Sequence, residues 1–193
     1  VNMADGYARV SNGARIGVCT VQDGPGIENA FAGVAQAFAD SSPILFLPGQ
    51  SALPRWGIRP DFDVEQNYRG VTKWVARVNA PDRLPDLLRR AFARLRSGRP
   101  GPVAIDVPKD VQNEIVEFDA WPEPRQIPAL PIDSEALKQA AQMIDRAERH
   151  VLYLGGGIVH SGAADLAVQL AEKASLPTTT TLMALGAIPA DHP

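Results

Sequence analysis

The sequence predicts an α/β fold: a parallel-sheet domain with helices on its faces, followed by an incomplete doubly wound domain. Three observations predict it. Short apolar runs without polar alternation recur at residues 15–21, 43–47, 103–107 and 151–154, which marks strands covered on both faces. Stretches with helical apolar spacing, above all residues 29–39 and 82–96, separate these runs. Pro122, Pro124, Pro128 and Pro131 crowd one stretch, where the missing N–H groups and fixed φ angles forbid a regular ladder. The expected organisation is a first domain over 1–118, an extended linker over 119–133 and the start of a second domain over 134–193.

The elements follow in order. Ala4–Arg9 reads as the end of a helix, with Gly6 or Gly13 as part of its stop. Residues 15–21 (RIGVCTV) form a β-branched strand in which Cys19 is a small core residue. Phe31, Val34, Ala35 and Phe38 line one side of a helix over 29–39. Residues 43–47 are a second buried strand, and 74–78 a third, weaker one. Leu84, Leu87, Leu88, Ala91, Phe92 and Leu95 define a strongly amphipathic helix over 82–96, and the arginines of 89–99 are its solvated face. Arg99-Pro100-Gly101-Pro102 stops the chain and starts a strand over 103–107. Ser134 is the expected N-cap of the next helix, with Leu137, Ala140, Ala141 and Ile144 on its apolar face. A strand over 151–154 runs into a glycine triplet, a helix covers about 163–174, and a threonine-rich strand covers 177–182.

Composition narrows the function. The 193 residues carry a formal charge of −3 with no basic stripe, which argues against nucleic acid as a partner. No apolar run approaches the length of a membrane span. A single cysteine fits a reducing compartment, and the expected location is cytoplasmic.

Four groups can carry chemistry. Asp23-Gly24-Pro25-Gly26-Ile27-Glu28-Asn29 lies between a strand and a helix, where glycines permit a sharp turn and helix N–H groups can meet a ligand. Pro25 supplies a rigid apolar wall, and Asn29 can donate and accept. Lys109 stands at the end of the strand over 103–107, suited to an anion. Gly155-Gly156-Gly157 with the threonines of 178–181 permits close approach of a nucleotide, without the full spacing of a dinucleotide fingerprint. Ala4–Arg9 is the fourth. Taken singly, each also reads as ordinary turn or surface structure.

Taken in order, Ala4–Arg9 (ADGYAR), Gly24–Asn29 (GPGIEN), residues 98–110 (GRPGPVAIDVPKD), the glycine triplet and residues 179–186 (TTTLMALG) resemble the acetolactate-synthase-like branch of thiamine-diphosphate enzymes. The resemblance implies a subunit of pyrimidine-binding, central and diphosphate-binding domains. This chain would hold most of the first and the start of the second. It implies thiamine diphosphate with Mg²⁺, the metal site lying outside residues 1–193, and a homodimer or homotetramer acting on a 2-ketoacid or related carbonyl substrate. Pro25, Gly26 and Asn29 match positions lining the pyrimidine pocket. Gln22, Gln50 and Lys109 fall on the substrate side. Arg99, Gly155, Gly156, Gly157, Thr181, Leu182 and Met183 match positions that touch FAD in members that keep it. The family's proton-transfer glutamate falls a few residues before Val1, and neither Asp5 nor Glu28 replaces it.

Two departures bear on the reaction. Gln22-Asp23 stands where acetolactate synthases carry threonine-serine, and Asp63-Val64 aligns with their phenylalanine-glutamine pair. A related carboligase, decarboxylase or acyl transferase therefore stands beside acetolactate synthesis. A non-catalytic nucleotide-binding or assembly module of the same fold is the alternative from another class, and a nicotinamide dehydrogenase rests on the glycine run alone.

Overall fold

The structure, a computed structural model, describes residues 1–118, 120–123 and 130–192. It divides into two compact units, Val1–Ile127 and Pro128–Pro193. Part of the linker expected over 119–133 lies outside the described residues.

Unit one is a four-stranded parallel sheet in the order β1 (Gly17–Val21), β2 (Ile44–Gln50), β4 (Val103–Pro108) and β3 (Trp74–Arg77). The helices are α1 (Asn2–Val10), α2 (Pro25–Ala39), α3 (Val64–Tyr68), α4 (Leu84–Arg96) and α5 (Lys109–Asn113). The expected parallel α/β architecture is borne out. Side chains on successive strand residues point to opposite faces, and the sheet uses both. Ile44, Phe46 and Ala104 pack with α1, α2 and α3 on one face, while Leu45, Val103 and Ile105 pack with α4 on the other. Buried Tyr68 anchors the first face. Its ring stands 5.1 Å from Phe46, and its hydroxyl donates to the Ile27 carbonyl at 2.5 Å.

Local chemistry sets the helix ends. Gly24 takes the left-handed region at φ 64°, and Pro25 follows at the first helical position, where its missing N–H costs nothing. The helix therefore starts four residues before the expected 29. Gly6 lies inside α1; the stop belongs to Gly13, at φ 77°, whose N–H donates to the Ala8 carbonyl. Gly17 allows α1 to lie directly on β1: a Cβ there would meet the Ala4 carbonyl oxygen at 2.0 Å.

Some expectations need correction. β1 is an edge strand with an exposed face, so Val18 is 56% exposed and Cys19 is half-buried instead of sealed in the core. β2 runs three residues past the expected end because Pro48 and Gly49 continue the ladder. The short α3 is missing from the sequence reading; Asp63 caps it by accepting from the Gln66 N–H at 3.0 Å.

Unit two holds α6 (Ser134–Arg146), β5 (Leu152–Leu154), α7 (Gly156–His160), α8 (Ala164–Lys173) and β6 (Thr178–Thr180). β5 and β6 pair in parallel. The N-cap of α6 is Asp133, not Ser134: its carboxylate accepts from the N–H groups of Glu135 and Ala136 at 2.9 and 3.0 Å. The glycine triplet opens α7, with Gly155 as its N-cap, and Leu182 begins a 3₁₀ turn instead of ending a strand.

Candidate functional site

Parallel pairing puts every strand's carboxyl end of unit one on the same edge, where open α/β sheets bind ligands. Two segments leaving that edge face each other. The first is the turn from β1 into α2. The second is the loop 51–62 that follows β2. Between them lies an open cleft of about 930 Å³, lined by Asp23, Gly24, Pro25 and Glu28 on one side and by Ser51, Arg55, Arg59, Pro60, Asp61 and Phe62 on the other.

The turn suits ligand contact. A Cβ on Gly24 would meet nothing within 4 Å, so bare backbone faces open space. Pro25, Glu28 and Asn29 are exposed, and the spacing of three and four residues puts them on one helical face. Gly26 has a different reason: its added Cβ would press on the Gln22 side chain at 2.8 Å, so it serves the packing of α2 on the end of β1. Gln22 is exposed beside the cleft lining.

The loop is fastened at several points. Gln50 is buried, and its amide is committed to the protein: Nε2 donates to the Phe62 carbonyl at 2.9 Å, and Oε1 accepts from the Ser51 N–H at 2.9 Å. One side chain therefore ties both ends of the loop together. The Ser51 hydroxyl donates to Asp23 at 2.5 Å, bridging the two walls of the cleft. The Leu53 N–H donates to the Asp110 carboxylate, and the Gly57 N–H donates to Asp61 at 2.8 Å. Trp56 stacks on the Arg77 guanidinium at 4.6 Å.

Arg77 carries a buried polar cluster. Its Nε donates to Asp106 at 2.6 Å, and Asp63 lies 3.8 Å from Nη2. Asp106 is fully buried, and that burial raises its carboxyl to about 6 against the opposing pull of Arg77. Arg77 Nη1 and Nη2 and Asp106 Oδ1 have no hydrogen-bond partner among the described residues.

Lys109 is exposed at the same sheet edge, on the first turn of α5, outside the cleft lining. Arg99 lies before β4, at the opposite edge. Its guanidinium donates to the Ser41 hydroxyl at 2.6 Å and to the Ala39 carbonyl at 2.8 Å, closing the end of α2. In unit two, Gly155–Gly157 and Thr181–Met183 follow paired strands and lie side by side. The Thr181 N–H donates to the Leu154 carbonyl at 2.9 Å, and a Cβ on Gly156 would stand 3.0 Å from Met183. Leu182 is 79% exposed there. No described helix is long and apolar enough to cross a membrane.

The sequence reading missed Ser51, Arg55, Arg59 and Phe62. Their one sequence signal is position: a loop that directly follows a strand of a parallel sheet lies at the binding edge.

The model of the N-terminal TPP binding domain of thiamine pyrophosphate enzymes matches residues 1–73, and that of the central domain matches residues 137–193. A probable acetolactate synthase large subunit of Methanocaldococcus jannaschii is 38% identical over 98% of this chain and 33% of its own length. The acetolactate synthase isozyme 1 large subunit of Escherichia coli is 41% identical over 99% of this chain and 34% of its own. A glyoxylate carboligase of Escherichia coli O157:H7 is 39% identical over 99% and 32%. The chain spans about a third of the length of these relatives.

Proposed function

Because the chain belongs to the thiamine pyrophosphate enzyme family, in its acetolactate-synthase-like branch, we propose that the cleft beside Gly24 is one wall of a thiamine-diphosphate site. The whole protein then joins or cleaves carbon–carbon bonds next to a carbonyl, as a carboligase, decarboxylase or acyl transferase on a 2-ketoacid or related substrate. The observation that carries this reading is the turn itself: bare backbone at Gly24, an exposed proline ring and an exposed amide at Asn29, all on the sheet's binding edge. Those groups fit a flat heteroaromatic ring with a polar rim.

Pro25 and Asn29 would hold the pyrimidine, with Gly26 letting the helix sit close beneath them. When bound, thiamine diphosphate supplies a carbon nucleophile and an electron sink at the carbonyl. This chain's share is orientation and the exclusion of water by the loop 51–62. Gln22 and Lys109 border the substrate side, and Gln50 acts there by holding the loop. We assign the glutamate that assists proton transfer to sequence before Val1; Asp5 is held by Arg9 at 2.9 Å. Mg²⁺ and the diphosphate belong to residues outside this chain, and the working form is a cytoplasmic homodimer or homotetramer. In the same reading, residues 1–118 are pyrimidine-binding domain, 119–133 linker and 134–193 the start of the central domain. FAD is a further proposal: Gly155–Gly157 and Thr181–Met183 make a nucleotide-sized edge, whereas Arg99 is already engaged by Ser41.

The test uses the full-length protein with thiamine diphosphate and Mg²⁺. Asn29→Ala should weaken cofactor binding about fivefold, in keeping with the loss of one hydrogen bond, and leave the unfolding midpoint unchanged. Unaltered affinity would remove Asn29 from the site. Flavin absorbance of the purified protein decides the FAD proposal.

A further inference from the structure

We propose that Arg55 and Arg59 form an anion subsite in the cleft, which takes a second carboxylate on the substrate, so that the preferred substrate is a dicarboxylic 2-ketoacid. The proposal deepens the functional reading and rests on it for the reaction, though not for the binding.

Both arginines lie on the loop 51–62 and line the cleft that faces the Gly24 turn. Neither side chain forms a hydrogen bond or an ion pair among the described residues, so the guanidinium donors are available. Four other arginines of unit one are committed: Arg9 to Asp5 and Asp40, Arg77 to Asp106, Arg89 to Asp86, and Arg99 to Ser41 and Ala39; what sets Arg55 and Arg59 apart from the remaining surface arginines is their place in the cleft lining. The cleft also contains carboxylates, and two of the three have structural partners. Asp23 accepts the Ser51 hydroxyl, and Asp61 accepts the Gly57 N–H. The third, Glu28, stands in the first turn of α2, where the helix dipole favours negative charge.

The loop is rigid enough to present the pair. Gln50, Asp110 and Asp61 fasten its backbone, and the Trp56 ring rests on Arg77. Guanidinium groups bind carboxylates through paired N–H donors, and the fastened backbone fixes where the two side chains start. Pro60 and Phe62 lie in the same wall and give an apolar floor for the methylene chain between two carboxylates.

The experiment has two arms. This chain is titrated with glutarate, butyrate and inorganic phosphate at low ionic strength, alongside an Arg55→Gln/Arg59→Gln variant. Glutarate should bind about tenfold more tightly than butyrate, and the variant should erase that preference. Both arginines are exposed, so the variant keeps the wild-type unfolding midpoint. The full-length protein, with thiamine diphosphate and Mg²⁺, is assayed on 2-oxoglutarate and 2-oxopentanoate. The variant should raise KM for the first about tenfold more than it raises KM for the second. Equal binding of glutarate and butyrate, or a preference that survives in the variant, overturns the subsite. Phosphate binding more tightly than glutarate overturns its assignment to a carboxylate. Glutarate binding that depends on the arginines, with no turnover of any 2-ketoacid, upholds the subsite and defeats the functional reading.

Discussion

Asp106 sits in the middle of β4 with no exposed surface, and Arg77 on β3 is its counter-charge. Burial outweighs that pairing and raises the carboxyl from 3.8 to about 6. A carboxyl that binds its proton more tightly in the folded state stabilises the fold most below its unfolded value. That contribution is lost as pH rises through the folded value. Stability should therefore fall between about pH 4 and 6, by up to about 1.4 kcal/mol per pH unit. Asp40, lowered by Arg9, acts at more acid pH and in the opposite sense, so it does not mask the effect. Urea midpoints across that window measure the slope, and Asp106→Asn should flatten it. An equal slope in the variant would assign it to another group. The need for such a pair was legible in the sequence: an aspartate amid Val103–Val107 must find a partner. Arg77 as that partner was not, because the strands meet only through the sheet register that pairs Arg77 with Asp106.

At the scale of elements, the loop 51–62 shows where sequence reading ends. Helix and strand leave a period in the sequence, and a loop held by side chains leaves none. Its fastenings come from far along the chain, as with the carboxylate of Asp110 on the Leu53 N–H. The resemblance put Gln50 on the substrate side, while its amide holds the Phe62 carbonyl and the Ser51 N–H. Gln50→Ala would leave both backbone groups without that partner and release the loop. Limited trypsin digestion reads the change at Arg55, which is exposed and lies between the fastened ends. Cleavage there should accelerate about tenfold, matching the loss of about 1.4 kcal/mol of local stability expected from two hydrogen bonds. Cleavage at the wild-type rate would mean that Asp110 and Asp61 hold the loop without Gln50.

At the scale of the whole chain, the parallel sheet was legible because strands buried on both faces are mostly apolar; the run at 43–47 obeys that rule throughout, and the run at 103–107 does so except at Asp106. The order β1-β2-β4-β3 was not, since composition does not say which runs lie side by side. The two units also differ in what they bury. Unit one encloses Tyr68, Phe46, Ile27 and Leu95 among its fully buried side chains. The unit-two cluster is Leu154 with three alanines, and α6 buries no residue, leaving Leu137 and Met143 more than half exposed. Apolar burial is the main stabilising term, so unit two should unfold first. All three tryptophans, Trp56, Trp74 and Trp121, lie in unit one, so their fluorescence follows that unit alone. Far-ultraviolet circular dichroism follows both, because α6 and α8 add 13 and 10 helical residues. In urea, the dichroism should begin to fall about 1 M before the fluorescence changes. Coincident curves would mean that the units unfold as one, with unit two drawing its stability from contacts beyond its own small core.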